Sequence, residues 1–378
     1  MSKLDELITE LCPEGVKYKK IKQVYKRLKG TPITAGKMKE IDNPNGEIRI
    51  FAGGKTVINA MEKDIPNANI TRVPAVLVQS RGVIDAVYYD KPFTFKNEMW
   101  AYTADNEVAV KYLYYVLKSN LSYFRKAASG MGSLPQISLR VTEEFVIPIP
   151  PLPVQQEIVR ILDNFTELTA ELTAELTAEL TARRKQYEYY RDLLLTFGDD
   201  VPKVRLDKVT TITRGVRVVK SQLTETGTYP VFQNSMTPLG YYEKSNFNKN
   251  TVFIIGAGAA GEIGYSKIDF WAADDCYCLT CSDRLQSRFL YYAILCQKSY
   301  LLSRVRRASV PRLARSVIER VEIPLPPLKE QERIVAILDR FDALCNDLTS
   351  GIPAEIEARK KQYEYYRDKL LTFKEVKA

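Results

Sequence analysis

The segment IPIPPLPVQQEIVRILDNFTELTAELTAELTAELTARRKQYEYYRDLLLTF, beginning at Ile147, returns at Ile323 as IPLPPLKEQERIVAILDRFDALCNDLTSGIPAEIEARKKQYEYYRDKLLTF. The offset is 176 residues and holds without a gap to Phe197 and Phe373. The octapeptide KQYEYYRD stands in both copies, at Lys185 and Lys361. Self-similarity of this kind outranks any shorter motif, because it fixes the organisation of the whole chain. The flanking parts are related more loosely. YLYYVL from Tyr112 resembles FLYYAI from Phe289, and GSLPQIS from Gly132 sits where the other half has ASVPRLA from Ala308. Even LDELITELCPEGVKYKKI near the N-terminus echoes YYRDLLLTFGDDVPKVRL from Tyr189. The chain is a duplication: variable part, shared helix, variable part, shared helix.

Each shared segment opens on a proline-rich stop that continues neither strand nor helix. A long helical pattern comes next. In the first copy Ile158, Ile161, Leu162, Phe165, Leu168, Leu172, Leu176 and Leu180 recur every three or four positions. Ile334, Ile337, Leu338, Phe341, Leu344, Leu348, Ile352 and Ile356 hold the same offsets in the second. Two equal amphipathic helices with matching stripes predict an antiparallel pair that buries the stripes together. Gly351 and Pro353 predict a kink or a break in the second helix. The variable parts read as short glycine-punctuated strands, each set followed by a helix.

Bulk properties narrow the function. At 378 residues two or three cored domains fit. There is no histidine at all, which removes the commonest general acid/base and a leading metal ligand. A net charge of +9 suits a nucleic-acid partner. No apolar run reaches membrane-spanning length, the N-terminus is unlike a signal peptide, and six unevenly spread cysteines suit a reducing compartment. A cytoplasmic protein with no membrane partner is expected.

The arrangement resembles the specificity subunit of type I DNA restriction-modification systems, over essentially the whole chain. The resemblance rests on the duplicated layout, the proline-rich entries with VQQEIVRILD and EQERIVAILD, the QYEYYRD helices, the TAEL tandem and YPVFQNSMTPLGYY from Tyr229. It implies an α+β protein: two α/β target-recognition domains separated by two long antiparallel helices, a coiled-coil spacer with pseudo-twofold duplication. The expected boundaries are an N-terminal helix at 1–14, recognition domains at 15–146 and 199–322, and shared segments at 147–198 and 323–378. It also implies that each domain reads one half of a split, asymmetric site on double-stranded DNA. The helices would dock two methylation subunits, and through them restriction subunits. No catalytic residue is expected here, and S-adenosylmethionine, ATP and Mg would belong to the partners. Tyr187, Tyr189, Tyr190, Tyr363, Tyr365 and Tyr366 are the docking candidates; the octapeptides match either for that reason or because they share a core role.

Helix geometry gives the TAEL tandem a use. One more unit lengthens the helix by roughly 6 Å and turns it by a net of about 40°. A base pair turns the duplex by roughly 34–36°. Repeat number would then retune the gap between half-sites, expected at about 6–8 base pairs, without changing the bases read.

DNA contact needs basic charge for phosphates and Arg, Lys, Gln, Asn or Ser delivered from loops for base edges. Nine Lys/Arg and one acid lie between Arg284 and Arg320, and five with no acid between Lys111 and Thr142. The candidates in the first domain are Lys55, Gln79, Ser80, Arg81, Ser133 and Gln136. In the second they are Arg214, Arg217, Gln233, Asn234, Ser235, Arg306, Arg307 and Arg312.

Two other motifs compete. Gly256, Gly258 and Gly261 have dinucleotide-loop spacing after a strand-like run, which would make the chain a nucleotide-cofactor enzyme. The alternating EIGYSKIDFW that comes after them predicts a second strand instead of the required helix. CYCLTC, with Cys276, Cys278 and Cys281, approaches a metal-ligand count but has no second CxxC, so buried strand cysteines are expected. A coiled-coil scaffold without DNA affinity is the remaining alternative.

Overall fold

The computed structural model describes residues 2–128, 134–346 and 350–376. It divides into two compact units, Met1–Ala174 with Glu357–Ala378, and Glu175–Ile356. Each unit takes one variable part together with about half of each shared segment; the first is built from two stretches of chain and the second from one.

In the first unit the strands are β1 (Lys17–Lys20), β2 (Lys26–Leu28), β3 (Ile48–Phe51), β4 (Val57–Ala60), β5 (Ala75–Gln79), β6 (Asp85–Tyr89), β7 (Phe93–Phe95), β8 (Trp100–Thr103) and β9 (Val146–Ile149). They form a four-stranded sheet in the order β2-β8-β5-β6, a three-stranded sheet β4-β3-β7 and the pair β1-β9. The second unit holds β10 (Lys203–Arg205), β11 (Thr210–Arg214), β12 (Tyr229–Phe232), β13 (Gly240–Tyr242), β14 (Thr251–Ile255), β15 (Ile263–Ser266), β16 (Trp271–Ala272), β17 (Cys276–Cys281) and β18 (Glu322–Pro324). Their sheets run β11-β17-β14-β15, β13-β12-β16 and β10-β18, which is the same plan. The central pairing of each large sheet is antiparallel, with Val76 facing Tyr102 and Val252 facing Leu279. Both three-stranded sheets contain a single parallel pairing, β3 with β7 and β12 with β16.

The helix Glu107–Ser119 covers the first large sheet. Asn106 caps it by accepting from the Val108 amide at 2.8 Å, and Val110, Leu113, Val116 and Leu117 fall on one buried face. Its counterpart is Ser287–Cys296, with Phe289, Leu290, Ala293 and Ile294 inward. The shared segments enter the fold identically. Buried Gln155 donates to the Pro150 carbonyl at 2.8 Å, and buried Gln331 to the Pro326 carbonyl at 2.8 Å, so each proline stop is tied to the turn it starts.

The first shared helix is continuous from Leu152 to Leu194. The second is two helices, Leu328–Asn346 and Ile352–Leu370, broken beside Gly351 and Pro353 as their chemistry predicts. Within the first unit, Phe165 meets Tyr366 and Thr166 bonds Tyr363 at 3.0 Å; within the second, Phe341 stacks on Tyr190. These pairings run antiparallel.

The helices pair within each unit, but the matched stripes are buried only in part. Ile158 and Leu162 are buried in the core of the first unit's globular part, and Ile334 and Leu338 in that of the second. Leu168 is 61% exposed, and Leu172, Leu176 and Leu180 are only half-buried. A four-residue repeat on a 3.6-residue helix turns each leucine about 40° past the last, so the row winds around the helix. Near Leu172 the other helix has no apolar side chain between Glu357 and Gln362 except Ala358, whereas Leu180 packs against the core of the second unit. Leu348 lies outside the described residues.

Candidate nucleic-acid interface

β5 and β14 each end in a turn that needs a left-handed residue, supplied by Gly82 at φ +78° and Gly258 at φ +83°. The loop that precedes the last short helix of each domain, Leu139–Glu143 or Arg315–Glu319, folds back onto this turn by the same bonds in both domains. Ile137 N–H donates to the Ser80 carbonyl at 3.0 Å and Gly82 N–H to the Pro135 carbonyl at 2.9 Å. In the second domain Leu313 N–H donates to the Gly256 carbonyl at 2.8 Å and Gly258 N–H to the Pro311 carbonyl at 3.1 Å. Residue 81 therefore bridges 136, and residue 257 bridges 312.

The loop after β3 or β12 joins them. Gly54 N–H donates to the Arg81 carbonyl at 3.1 Å, and Ala259 N–H to the Asn234 carbonyl at 2.9 Å. Lys55, Arg81 and Gln136 are thus gathered at one exposed loop cluster in the first domain. Asn234, Ser235, Arg306 and Arg312 are gathered in the second, where Arg306 and Arg312 exchange backbone bonds of 2.8 and 3.1 Å. Ser235 closes its own turn with Thr237, and Arg307 is exposed beside Arg306. Gln233 is half-buried, its carbonyl accepting from Cys276 Sγ at 3.2 Å. Arg214 and Arg217 are exposed, and Arg214 Nε donates to the Asp274 carbonyl at 2.5 Å.

Two candidates are corrected. Gln79 is buried as the last residue of β5, and Ser80 is fully buried with its hydroxyl donating to the Glu98 carbonyl. Neither side chain is on the surface. Their polarity resembles that of a loop, but Gln79 pairs with Asp85 of β6, and Ser80 is packed just past the strand end against the segment carrying Glu98. Ser133 lies outside the described residues.

Lys29, Asn69 and Asn97 are not among the candidates the sequence offers. All three are exposed, and they line one groove with Gln136. No local signal marks them, since they are tens of residues apart and meet only through the sheet. The basic runs also carry less free charge than their count suggests. Lys111 pairs with Asp163 at 2.7 Å, Lys118 with Asp85 at 2.8 Å, Arg288 with Asp339 and Asp342, Lys298 with Glu262 and Arg315 with Glu319. Arg306, Arg307 and Arg312 make no ion pair among the described residues.

The tyrosines divide by position. Tyr187 is buried against Tyr292, which corrects its place among docking candidates. Its counterpart Tyr363 is half-buried and bonded to Thr166. Tyr189 and Tyr365 are 64% and 63% exposed, and Tyr190 and Tyr366 are 37% and 42% exposed.

The glycine loop is a hairpin. β14 and β15 pair antiparallel across it, with Gly261 also left-handed at φ +90°, so no helix N-terminus faces the glycines and the dinucleotide fingerprint lacks its phosphate seat. Cys276 and Cys278 are buried in β17; burial pushes the Cys276 thiol up to about 12. Among the described residues no three His, Cys, Asp or Glu side chains gather as a metal site, and no helix is long and apolar enough to cross a membrane.

Two copies of one mixed α/β domain, each on a half of two shared helices and each with a common turn beneath a divergent exposed loop, define a duplicated recognition scaffold. The type I restriction modification DNA specificity domain matches residues 13–182 and 198–358, and the chain belongs to that family, the non-catalytic specificity subunits of these systems. A putative type I specificity subunit of Mycoplasma pneumoniae, S.MpnORF201P, is 34% identical over 244 residues, covering 61% of this chain and 97% of that protein. The EcoR124I/EcoR124II specificity subunit of Escherichia coli is 34% identical over 300 residues, covering 71% and 72%. The fold is shared with the type I S subunit of M. genitalium, at a TM-score of 0.54, 19% identity and coverage of 94% and 96%. It is shared also with a chain from structures of type I system assembly and conformational transition, at 0.64, 17%, and 95% and 98%.

Proposed function

We propose that the chain reads a bipartite, asymmetric site on double-stranded DNA, one domain per half-site, and docks two methylation subunits through which restriction subunits join. The observation that carries this reading is the pairing of an identical backbone lock, Gly82 with Pro135 and Gly258 with Pro311, with different exposed side chains above it. Common framework and divergent loop are what two half-sites of different sequence require. Identical exposed tyrosines on the two helix ends suit two identical partners. S-adenosylmethionine, ATP and Mg belong to those partners, and the helices set the spacing.

The test is a single-molecule methylome of the source cell with this gene intact and deleted. A split adenine-methylated motif that vanishes on deletion is the expected result. An unchanged methylome, together with no salt-dependent duplex binding by the assembled complex, would leave a scaffold without DNA affinity.

A further inference from the structure

The two backbone bonds that flank residue 136 and the two that flank residue 312 agree to within a few tenths of an ångström, while the two side chains differ in kind. Each follows a proline whose carbonyl accepts from the left-handed glycine, and each precedes a residue whose amide is bonded to the end of β5 or β14. Each side chain is exposed at the loop cluster of its own domain. Residue 136 is glutamine and residue 312 is arginine.

On the reading that each domain takes one half-site, we infer that these are equivalent base-selecting positions, with Gln136 specifying adenine and Arg312 specifying guanine at the matching place in the other half-site. A carboxamide offers one donor and one acceptor side by side, which fits N7 and the N6 amine of adenine. A guanidinium offers two donors, which fits N7 and O6 of guanine. The neighbours agree with this division. Gln136 shares its groove with the carboxamide of Asn97, with Asn69, whose Nδ2 donates to the Gly30 carbonyl at 2.7 Å, and with Lys29 for phosphate. Arg312 is bridged to Arg306, so its surroundings are rich in donors and suit a partner rich in acceptors.

The assignment is tested by exchange in the assembled complex with its methylation subunits, expressed in a host without other adenine methylation and read by single-molecule sequencing. Gln136→Arg should convert one adenine of one half-site to guanine, leaving the other half-site and the spacer unchanged. Arg312→Gln should do the reverse in the other half-site. The preference at that base should move by about 5- to 150-fold, the range of one bidentate pair. If an exchanged side chain disturbs the loop, Gln136→Ala and Arg312→Ala still decide: each should leave its motif degenerate at one position only. Variants that keep the wild-type motif, or that weaken binding equally on all sequences with a salt slope lower by about 1, overturn the assignment, because that is phosphate contact. A wild-type complex that methylates no split motif overturns the half-site reading itself, a distinguishable failure.

Discussion

Tyr189 and Tyr365 occupy one place on a duplicated frame: each is nearly two-thirds exposed, and each meets the tyrosine after it edge-on, at 5.4 and 5.3 Å with planes at 73° and 74°. Beneath them Arg191 and Arg367 are held to Asp192 and Asp368, both at 2.7 Å, and lie 5.8 Å from the rings of Tyr187 and Tyr363. The frame holds two aromatic pairs at its surface, where amphipathic rings otherwise gain nothing from exposure.

Such pairs are what a protein interface uses as anchors. Tyr189→Ala and Tyr365→Ala should each weaken assembly with methylation subunits by about 1–3 kcal/mol, and the double variant should give a subcomplex lacking both. The structural alternative predicts the opposite pattern: Tyr187→Ala, which opens a cavity against Tyr292, should lower thermal stability without this selectivity. Analytical ultracentrifugation of the reconstituted complexes, beside melting curves of the free chain, separates the two. Unchanged stoichiometry and affinity in the double variant would place docking elsewhere.

Each domain is fastened to its helix by an equivalent clamp of unequal strength. Asp339 accepts from Arg288 at 2.6 Å and from Tyr292 at 2.5 Å, while Asp342 takes the other arm of the guanidinium at 2.7 Å. The rings of Tyr265, Tyr291 and Tyr292 surround that cation at 4.7–5.0 Å. In the other unit Asp163 holds Lys111 at 2.7 Å and Tyr115 at 2.6 Å, with Tyr88 alone among the described residues over the cation and Thr166 in place of the second carboxylate. Burial, and then the bond to the carboxylate, hold the Tyr292 and Tyr115 hydroxyls protonated far above their ordinary range. Asp339→Ala should cost about 2–3 kcal/mol and Asp163→Ala about 1–2 kcal/mol, both discounted for partial exposure. Denaturant titration of the full chain checks this; equal losses would show that the second carboxylate and the extra rings add nothing.

How much of this was legible beforehand depends on the range of the interaction. The break beside Gly351 and Pro353 and the hairpin after Ile255 arise from neighbours within a few residues, and the duplication shows as direct self-similarity at an offset of 176 residues. Gln79 and Ser80 were misplaced because burial at a strand end depends on β8 and Glu98, which composition does not reveal. Lys29 and Asn97 were missed because only the order β2-β8-β5 brings them to Gln136. The exposure of Leu168 was within reach, since a four-residue repeat must drift around a helix.

The paired glycines make a sharper test than their conformation alone. A Cβ on Gly82 would meet nothing closer than the Gly54 Cα at 3.6 Å, whereas one on Gly258 would meet the Asn234 carbonyl oxygen at 2.7 Å and its Cβ at 2.8 Å. Gly82→Ala should therefore cost only the left-handed strain, about 1–2 kcal/mol, and Gly258→Ala that strain plus an overpacking cost of about 1–3 kcal/mol. Hydrogen exchange should report the difference locally: protection of the Leu313 amide should fall further than that of Ile137. Equal losses at the two sites would mean that the loop carrying Asn234 yields freely.

Removing one TAEL unit, Thr173–Leu176, should shift the preferred gap between half-sites without touching either half-site sequence. The deletion shortens the helix by roughly 6 Å and rotates its C-terminal part by a net of about 40°. The rotation matches about one base pair and the translation fewer than two, at 34–36 Å for a turn of 10–10.5 base pairs. The leucine row survives the deletion, because Leu172 and Leu180 become four residues apart. Half-buried as they are, these leucines contribute little that a shorter row would forfeit. The methylome of the deletion strain gives the answer directly. A motif with both halves intact and a spacer shorter by one or two base pairs is expected; an unchanged spacer would mean that the helix length does not set it.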